Sequence, residues 1–168
     1  KFNLNERLFE LNYYSLPIKL QKKLITSSMG NPTEGVEWAK SYRKLGFPDK
    51  HTDKNLAYKY LSSYIKQNKD KKVCIHQVCA SSGREIDYFS KRSDHIIFEA
   101  SDISEEIANN IKLNYENLNC FCINLADPDQ LAFVTSRSDL IVAFGGLQYL
   151  LPNDLKNFFK NCKAQETE

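Results

Sequence analysis

From position 73 onward the chain alternates short apolar runs with stretches whose apolar residues recur every three or four positions. The runs predict strands at 73–79, 95–100, 119–125 and 140–144. Between them the periodicity predicts helices at 83–91 and 105–116, a short helix or turn at 129–133, and a last helix at 152–162. Ile107, Ile111 and Tyr115 form one helical stripe. Strands separated by helices imply crossover connections, and so a parallel sheet with both faces covered. The first seventy residues read differently, as helices and loops. Leu4, Leu8, Phe9 and Leu11, then Leu20, Leu24 and Ile25, make short stripes interrupted by Pro17. A breaker-rich stretch at 29–35 follows, then an apolar segment from Val36 to Leu45 that stops at Gly46 and Pro48. A stronger helix places Leu56, Tyr60, Leu61, Tyr64 and Ile65 on one face, with Thr52 or Asp53 as its cap. The chain therefore divides into a helical N-terminal extension or lid at 1–70 and an α/β unit at 71–168, joined by a charged, solvated connector at 67–72.

Composition narrows the function classes. Of 168 residues, 42% are apolar and 26% charged, the balance of an ordinary globular domain. A net charge of +2 gives no argument for a nucleic-acid or membrane partner. No apolar run reaches the ~18 residues of a membrane span. The start of the chain has neither a signal-peptide core nor a methionine, so the natural N-terminus is expected to lie further upstream. Cys74, Cys79, Cys120, Cys122 and Cys162 are odd in number and contain no Cys-x-x-Cys pair. That pattern predicts reduced thiols in a cytoplasmic protein and no metal site.

Chemistry gathers at the strand ends. The first strand runs into a turn of small residues, Cys79, Ala80, Ser81, Ser82 and Gly83, before Arg84 and Glu85. Small residues let a ligand approach the backbone closely. Ser82 and Glu85 have the spacing of a capping box, and the amides of a helix start attract an anionic group. After the second strand stands Asp102, nineteen residues past Gly83. An acid about 20 residues beyond the loop suits ribose hydroxyls, and open parallel sheets bind ligands at the carboxyl ends of their strands. The alternative role for Asp102 is to cap the next helix. A dinucleotide fingerprint would need glycine at the positions of Cys79, Ser81 and Arg84, which argues against a nicotinamide oxidoreductase.

In four places the segment 73–159 resembles the core of the class I, Rossmann-like, S-adenosylmethionine-dependent methyltransferases. Residues 77–85 resemble the first motif, acid-x-Gly-x-Gly-x-Gly, with Gln77, Cys79, Ser81 and Gly83 in register. Ser101-Asp102-Ile103-Ser104 resembles the acidic ribose motif, 121–127 the segment whose end reaches adenine, and 138–150 the fourth-strand motif that passes beneath the sulfonium. The resemblance implies S-adenosylmethionine as cofactor. It implies cofactor contacts at Gln77, Cys79, Ala80, Ser81, Gly83, Asp102, Ile103, Leu125, Ala126, Phe144 and Gly145, and a small-molecule methyl acceptor. Gln77 stands where the family carries an acid, Cys79 and Ser81 stand for glycines, and Leu125 stands where Asp is common, so adenine recognition would fall to Asp127 or to backbone amides. These departures keep open a catalytically inactive, methyltransferase-like interaction or scaffold domain.

No catalytic base is assigned. His76 lies within a strand and reads as a core residue, His95 starts a strand and reads as exposed, and His51 precedes a helix in the lid region. Gln148 and Tyr149 follow the fourth strand and are the acceptor-side candidates. The resemblance implies seven strands in the order three, two, one, four, five, seven, six, of which four are counted here. The chain is thus expected to be part of a longer protein, with the fourth strand as an apolar edge able to self-associate.

Overall fold

The computed structural model describes residues 56–116, 118–147 and 150–164. Most of the expected N-terminal extension, the cap at Thr52 or Asp53, His51, Gln148, Tyr149 and the tail at 165–168 lie outside the described residues.

Among the described residues nine elements follow in order: α1 (Leu56–Gln67), β1 (Val73–Gln77), α2 (Arg84–Ser90), β2 (Ile96–Asp102), α3 (Glu105–Asn114), β3 (Asn119–Cys122), α4 (Pro128–Thr135), β4 (Leu140–Val142) and α5 (Pro152–Ala164). All three strand pairings are parallel and the sheet order is β3-β2-β1-β4, as the Rossmann-like reading requires. Ile75 is level with Phe98 on one side and Leu140 on the other.

The two sheet faces carry two cores. On one, Val73, Ile75, Ile96, Phe98, Ala100 and Cys120 meet Tyr58, Leu61 and Ile65 of α1, Ile86 and Phe89 of α2, and Ile107, Ala108 and Ile111 of α3. On the other, Val78, Ile123 and Leu125 meet Leu131 and Val134 of α4 and Phe158 of α5. Helices thus cover both faces of the sheet, α1, α2 and α3 on one and α4 and α5 on the other, and the winding reverses between β1 and β4. In such sheets that reversal opens a crevice at the carboxyl ends of the strands.

Several local expectations are corrected. In α1 the inward residue is Tyr58, whose ring lies 4.8 Å from that of Phe144, whereas Tyr60 is 63% exposed. Strands β1, β3 and β4 stop two to three residues short of the ends that the apolar runs predicted, and β2 starts at Ile96 rather than at His95. Just past those ends Val78 N–H still donates to Val142 O and Ile123 N–H to Asp102 O, and both side chains pack into the second core. Ser82 does not cap α2. Gly83 takes that position in a left-handed conformation, with no side-chain cap. Ser104 caps α3 by accepting from the Ile107 amide, which overturns the reading of Asp102 as that cap. Among the described residues β4 is one of the two edge strands, with β3 the other, and its three residues are half-buried. Among the described residues no helix is long and apolar enough to cross a membrane.

The sheet is less apolar than its sequence runs suggested. His76 is fully buried, and its Nε2 lies 2.9 Å from Ser101 Oγ. Its Nδ1 is 3.5 Å from Oε2 of buried Glu99, whose Oε1 accepts from Arg137 Nη2 at 2.6 Å. The Arg137 guanidinium lies over the rings of Phe121 and Phe133. Burial lowers the His76 pKa to about 4, outweighing the opposite pull of Glu99. The unfolded chain takes up this proton near 6.5, the folded one only near 4. Stability therefore falls as pH drops through that window, by up to about 1.4 kcal/mol per pH unit from this residue. Denaturant unfolding of wild type and His76→Asn at pH 7 and at an acidic pH inside the window checks this, since the variant should show a shallower acid loss. An identical loss in both would show that His76 is not its source.

Candidate functional site

The loop from β1 into α2 has an unusual backbone. Cys79 (φ 53), Ser81 (φ 50) and Gly83 (φ 70) are all left-handed, alternating with Ala80 and Ser82. The conformation is ordinary for glycine and unfavourable for a side-chain-bearing residue. The loop thus keeps the shape of an alternating glycine pattern at the register read from the sequence, although two of its three glycines are absent. Strained residues of this kind persist only where their surroundings hold them, and they cluster at functional sites.

What holds the loop is visible. Val78 N–H donates to Val142 O at 2.9 Å, Ala80 N–H to Ser101 O at 2.9 Å, and Gly83 N–H to Ala80 O at 2.8 Å. Ser81 N–H donates to Oδ2 of Asp102 at 3.0 Å, while Oδ1 accepts from Ser104 N–H at 3.1 Å. Asp102 therefore joins the loop after β1 to the loop after β2. It is buried, and burial raises its pKa, against the opposing effect of the amides of Ser104, Ser81 and Ile103. With three amides facing its roughly four lone-pair sites, the carboxylate keeps room for one further hydrogen bond.

Gln77, the last residue of β1, is 2% exposed, and its Oε1 has no hydrogen-bond partner. A buried acceptor left unpaired is costly, so a donor at this point would be favoured. Ile103 is 62% exposed, an apolar side chain presented just beyond Asp102. Gly145 is open, with nothing within 4 Å of where a Cβ would stand. Phe144 instead turns inward against the first core and Tyr58. The Cys79 thiol is pushed up to about 12 by burial, with the Asp102 charge adding to it, so it is neutral at ordinary pH and no nucleophile.

Of the residues expected at the site, Gln77, Cys79, Ala80, Ser81, Gly83, Asp102 and Ile103 thus sit at the ends of β1 and β2 and on the loops that follow, which hydrogen bonds tie together. Phe144 and Gly145 follow β4. Leu125 is a buried member of the second core, and Ala126 beside it is exposed. Asp127 is otherwise engaged than expected. Its Oδ1 accepts from the amides of Asp129 and Gln130, and its Oδ2 from Gln130 Nε2. It is the cap of α4, so it has little capacity left to read a base. Asn124, which the sequence reading passed over, shapes the same turn by accepting from Ala126 N–H at 3.0 Å. The spacing Asn-x-Ala-Asp-Pro carries a turn signal that could have found it. A depression of about 410 Å³ lies elsewhere, at the amino ends of β1 and β2 among Lys69–Lys72 and Asp94–Ile97. It is wide open, and it lies at the end of the sheet opposite Asp102. His95 borders it, half-buried rather than exposed.

No protein-family model and no curated protein matches the chain. Among solved structures the chain is similar to a TehB-like SAM-dependent methyltransferase from Corynebacterium glutamicum. The identity is 15% over 80% of this chain and 83% of that one, with a TM-score of 0.48. It is also similar to the plantazolicin methyltransferase BpumL in complex with SAH, at 15% identity over 92% of this chain and 71% of that one, TM-score 0.48. A second BpumL structure, with a pentazolic desmethylPZN analog and SAH, has 14% identity over 86% of this chain and 68% of that one, TM-score 0.45.

Proposed function

We propose that the chain binds S-adenosylmethionine at the carboxyl ends of β1, β2 and β4 and forms the cofactor-binding part of a methyltransferase that acts on a small-molecule acceptor. The observation that carries this reading is the left-handed alternation at Cys79, Ser81 and Gly83, held against the Asp102 carboxylate. A glycine-like loop beside a buried acid is the arrangement expected for a ligand with a ribose. The residues fit the cofactor. Gln77 Oε1 would accept from its amino group, Asp102 would accept from the ribose hydroxyls, and Ile103 would offer an apolar contact to the base. When bound, the sulfonium supplies an electrophilic methyl group. The chain's part is to orient it, since in-line transfer depends mostly on positioning. No described residue is assigned as a base. The five free thiols support placing the protein in a reducing compartment such as the cytoplasm.

One observation favours a second reading, a catalytically silent domain of the same shape: side chains occupy the loop at 79 and 81, where the pattern it resembles has only hydrogen. Ligand binding decides between the two. S-adenosylhomocysteine should raise the melting temperature in proportion to the logarithm of its concentration, with about 2.7 kcal/mol gained at a hundredfold excess over Kd. NAD should have no effect. Silence of both ligands at millimolar concentration would favour the scaffold.

Asp102→Ala should weaken S-adenosylhomocysteine by at least about tenfold, because hydrogen bonds to a charged group are worth roughly 1.5–3 kcal/mol each. It should also lower stability by about 1–3 kcal/mol, because the amides of Ser81 and Ser104 lose their acceptor. Calorimetric titration and denaturant unfolding of one preparation read both effects. A loss of stability with unchanged affinity would make Asp102 a loop tie only.

Ser81→Gly should stabilise the fold by up to about 1 kcal/mol. The left-handed conformation costs a side-chain-bearing residue roughly 1–2 kcal/mol, and glycine's extra unfolded-state freedom offsets part of the gain. A lower denaturation midpoint for the variant would show that the Ser81 side chain makes compensating contacts.

A further inference from the structure

The loop after β4 contains two adjacent glycines with opposite surroundings. At Gly145 an added Cβ would meet nothing within 4 Å. At Gly146, itself left-handed at φ +92, it would stand 2.3 Å from the Cβ of Cys79 and 2.9 Å from its Sγ. Because the nearest atom is a Cβ, no rotation of the cysteine side chain could relieve that clash, and one backbone would have to move. Cys79 is also left-handed, so its Cβ direction is set by the loop and not by a rotamer. Its side chain packs against the second core, and the residue before it is anchored by Val78 N–H to Val142 O. A side chain on one loop thus fills the space that a missing side chain leaves on the other.

We propose that Cys79 and Gly146 are a matched pair of positioning residues that sets the distance between the β1–α2 loop and the loop after β4, and thereby the shape of the ligand site. The proposal rests on the S-adenosylmethionine reading above. The pair explains how the loop closes with a cysteine at 79: the space its side chain needs is left by the glycine at 146. It also makes an atom-specific demand. Any residue but glycine at 146 conflicts with any residue but glycine at 79, whatever the chemistry of the side chain beyond Cβ.

The test is calorimetric titration of S-adenosylhomocysteine into wild type, Gly146→Ala, and the double variants Cys79→Ala/Gly146→Ala and Cys79→Gly/Gly146→Ala. Each is assayed below its own unfolding temperature, followed by circular dichroism. Affinity should fall at least about tenfold in Gly146→Ala, stay low with Cys79→Ala, and rise at least about threefold above that level with Cys79→Gly, short of wild type because alanine at φ +92 stays strained; such coupling is expected only of residues in direct contact. If Gly146→Ala alone does not fold, the two double variants carry the test, since only the one with glycine at 79 should fold and bind. Wild-type binding with equal affinity in both double variants, or with no loss in Gly146→Ala, overturns the pair and leaves the proposed function standing. A wild type that binds no S-adenosylhomocysteine removes the function and the positioning role together.

Discussion

The carboxyl end of this molecule depends on the central placement of β1, hydrogen-bonded to β2 on one side and to β4 on the other. A parallel strand inside a sheet needs cover on both faces, and crossover helices supply it. With β2 and β3 on one side of β1 and β4 on the other, the helices must divide between the faces. The loops leaving β1, β2 and β4 then emerge beside one another. Their separation is bridged by backbone hydrogen bonds, by one carboxylate and by one side chain seated against a glycine.

The same placement explains why polar groups are tolerated deep in the sheet. Glu99 and His76 sit level with one another on β2 and β1, and Arg137 closes over Glu99 from the segment between α4 and β4. Burying an ion pair is costly unless its geometry is good, so the short contact to Arg137 is what makes Glu99 acceptable there. At the carboxyl end of the sheet Asp102 is a comparable case. Its buried charge is held by amides alone, which leaves acceptor capacity and a raised pKa.

Much of the fold was legible in the chain. Four apolar runs spaced by helical periodicity are enough to imply a parallel sheet, and small residues followed by an acid at the expected distance mark where the strands end. Element boundaries were less legible. Apolar residues such as Val78, Ile123 and Phe144 continue the runs past the strand ends and still pack into the cores. Periodicity reports burial, and burial continues past the last paired residue. Asp127 shows the same limit for chemistry: its type suits base recognition, but local backbone amides consume its oxygens.

By itself the sequence determined the order of strands and helices, the position of the turn at 79–83 and the candidate acid at 102, because these follow from hydrophobic period and local turn chemistry, which are properties of neighbouring residues. Only the tertiary structure decided that Cys79 and Ser81 adopt the backbone of glycine, that Asp102 ties two loops and caps no helix, that Glu99 and Arg137 meet across 38 residues, and that Gly146 leaves room for Cys79. Each of these is a contact between segments remote in sequence. A left-handed side-chain-bearing residue is unfavourable alone and is stabilised only by what packs against it, so no local pattern could announce it.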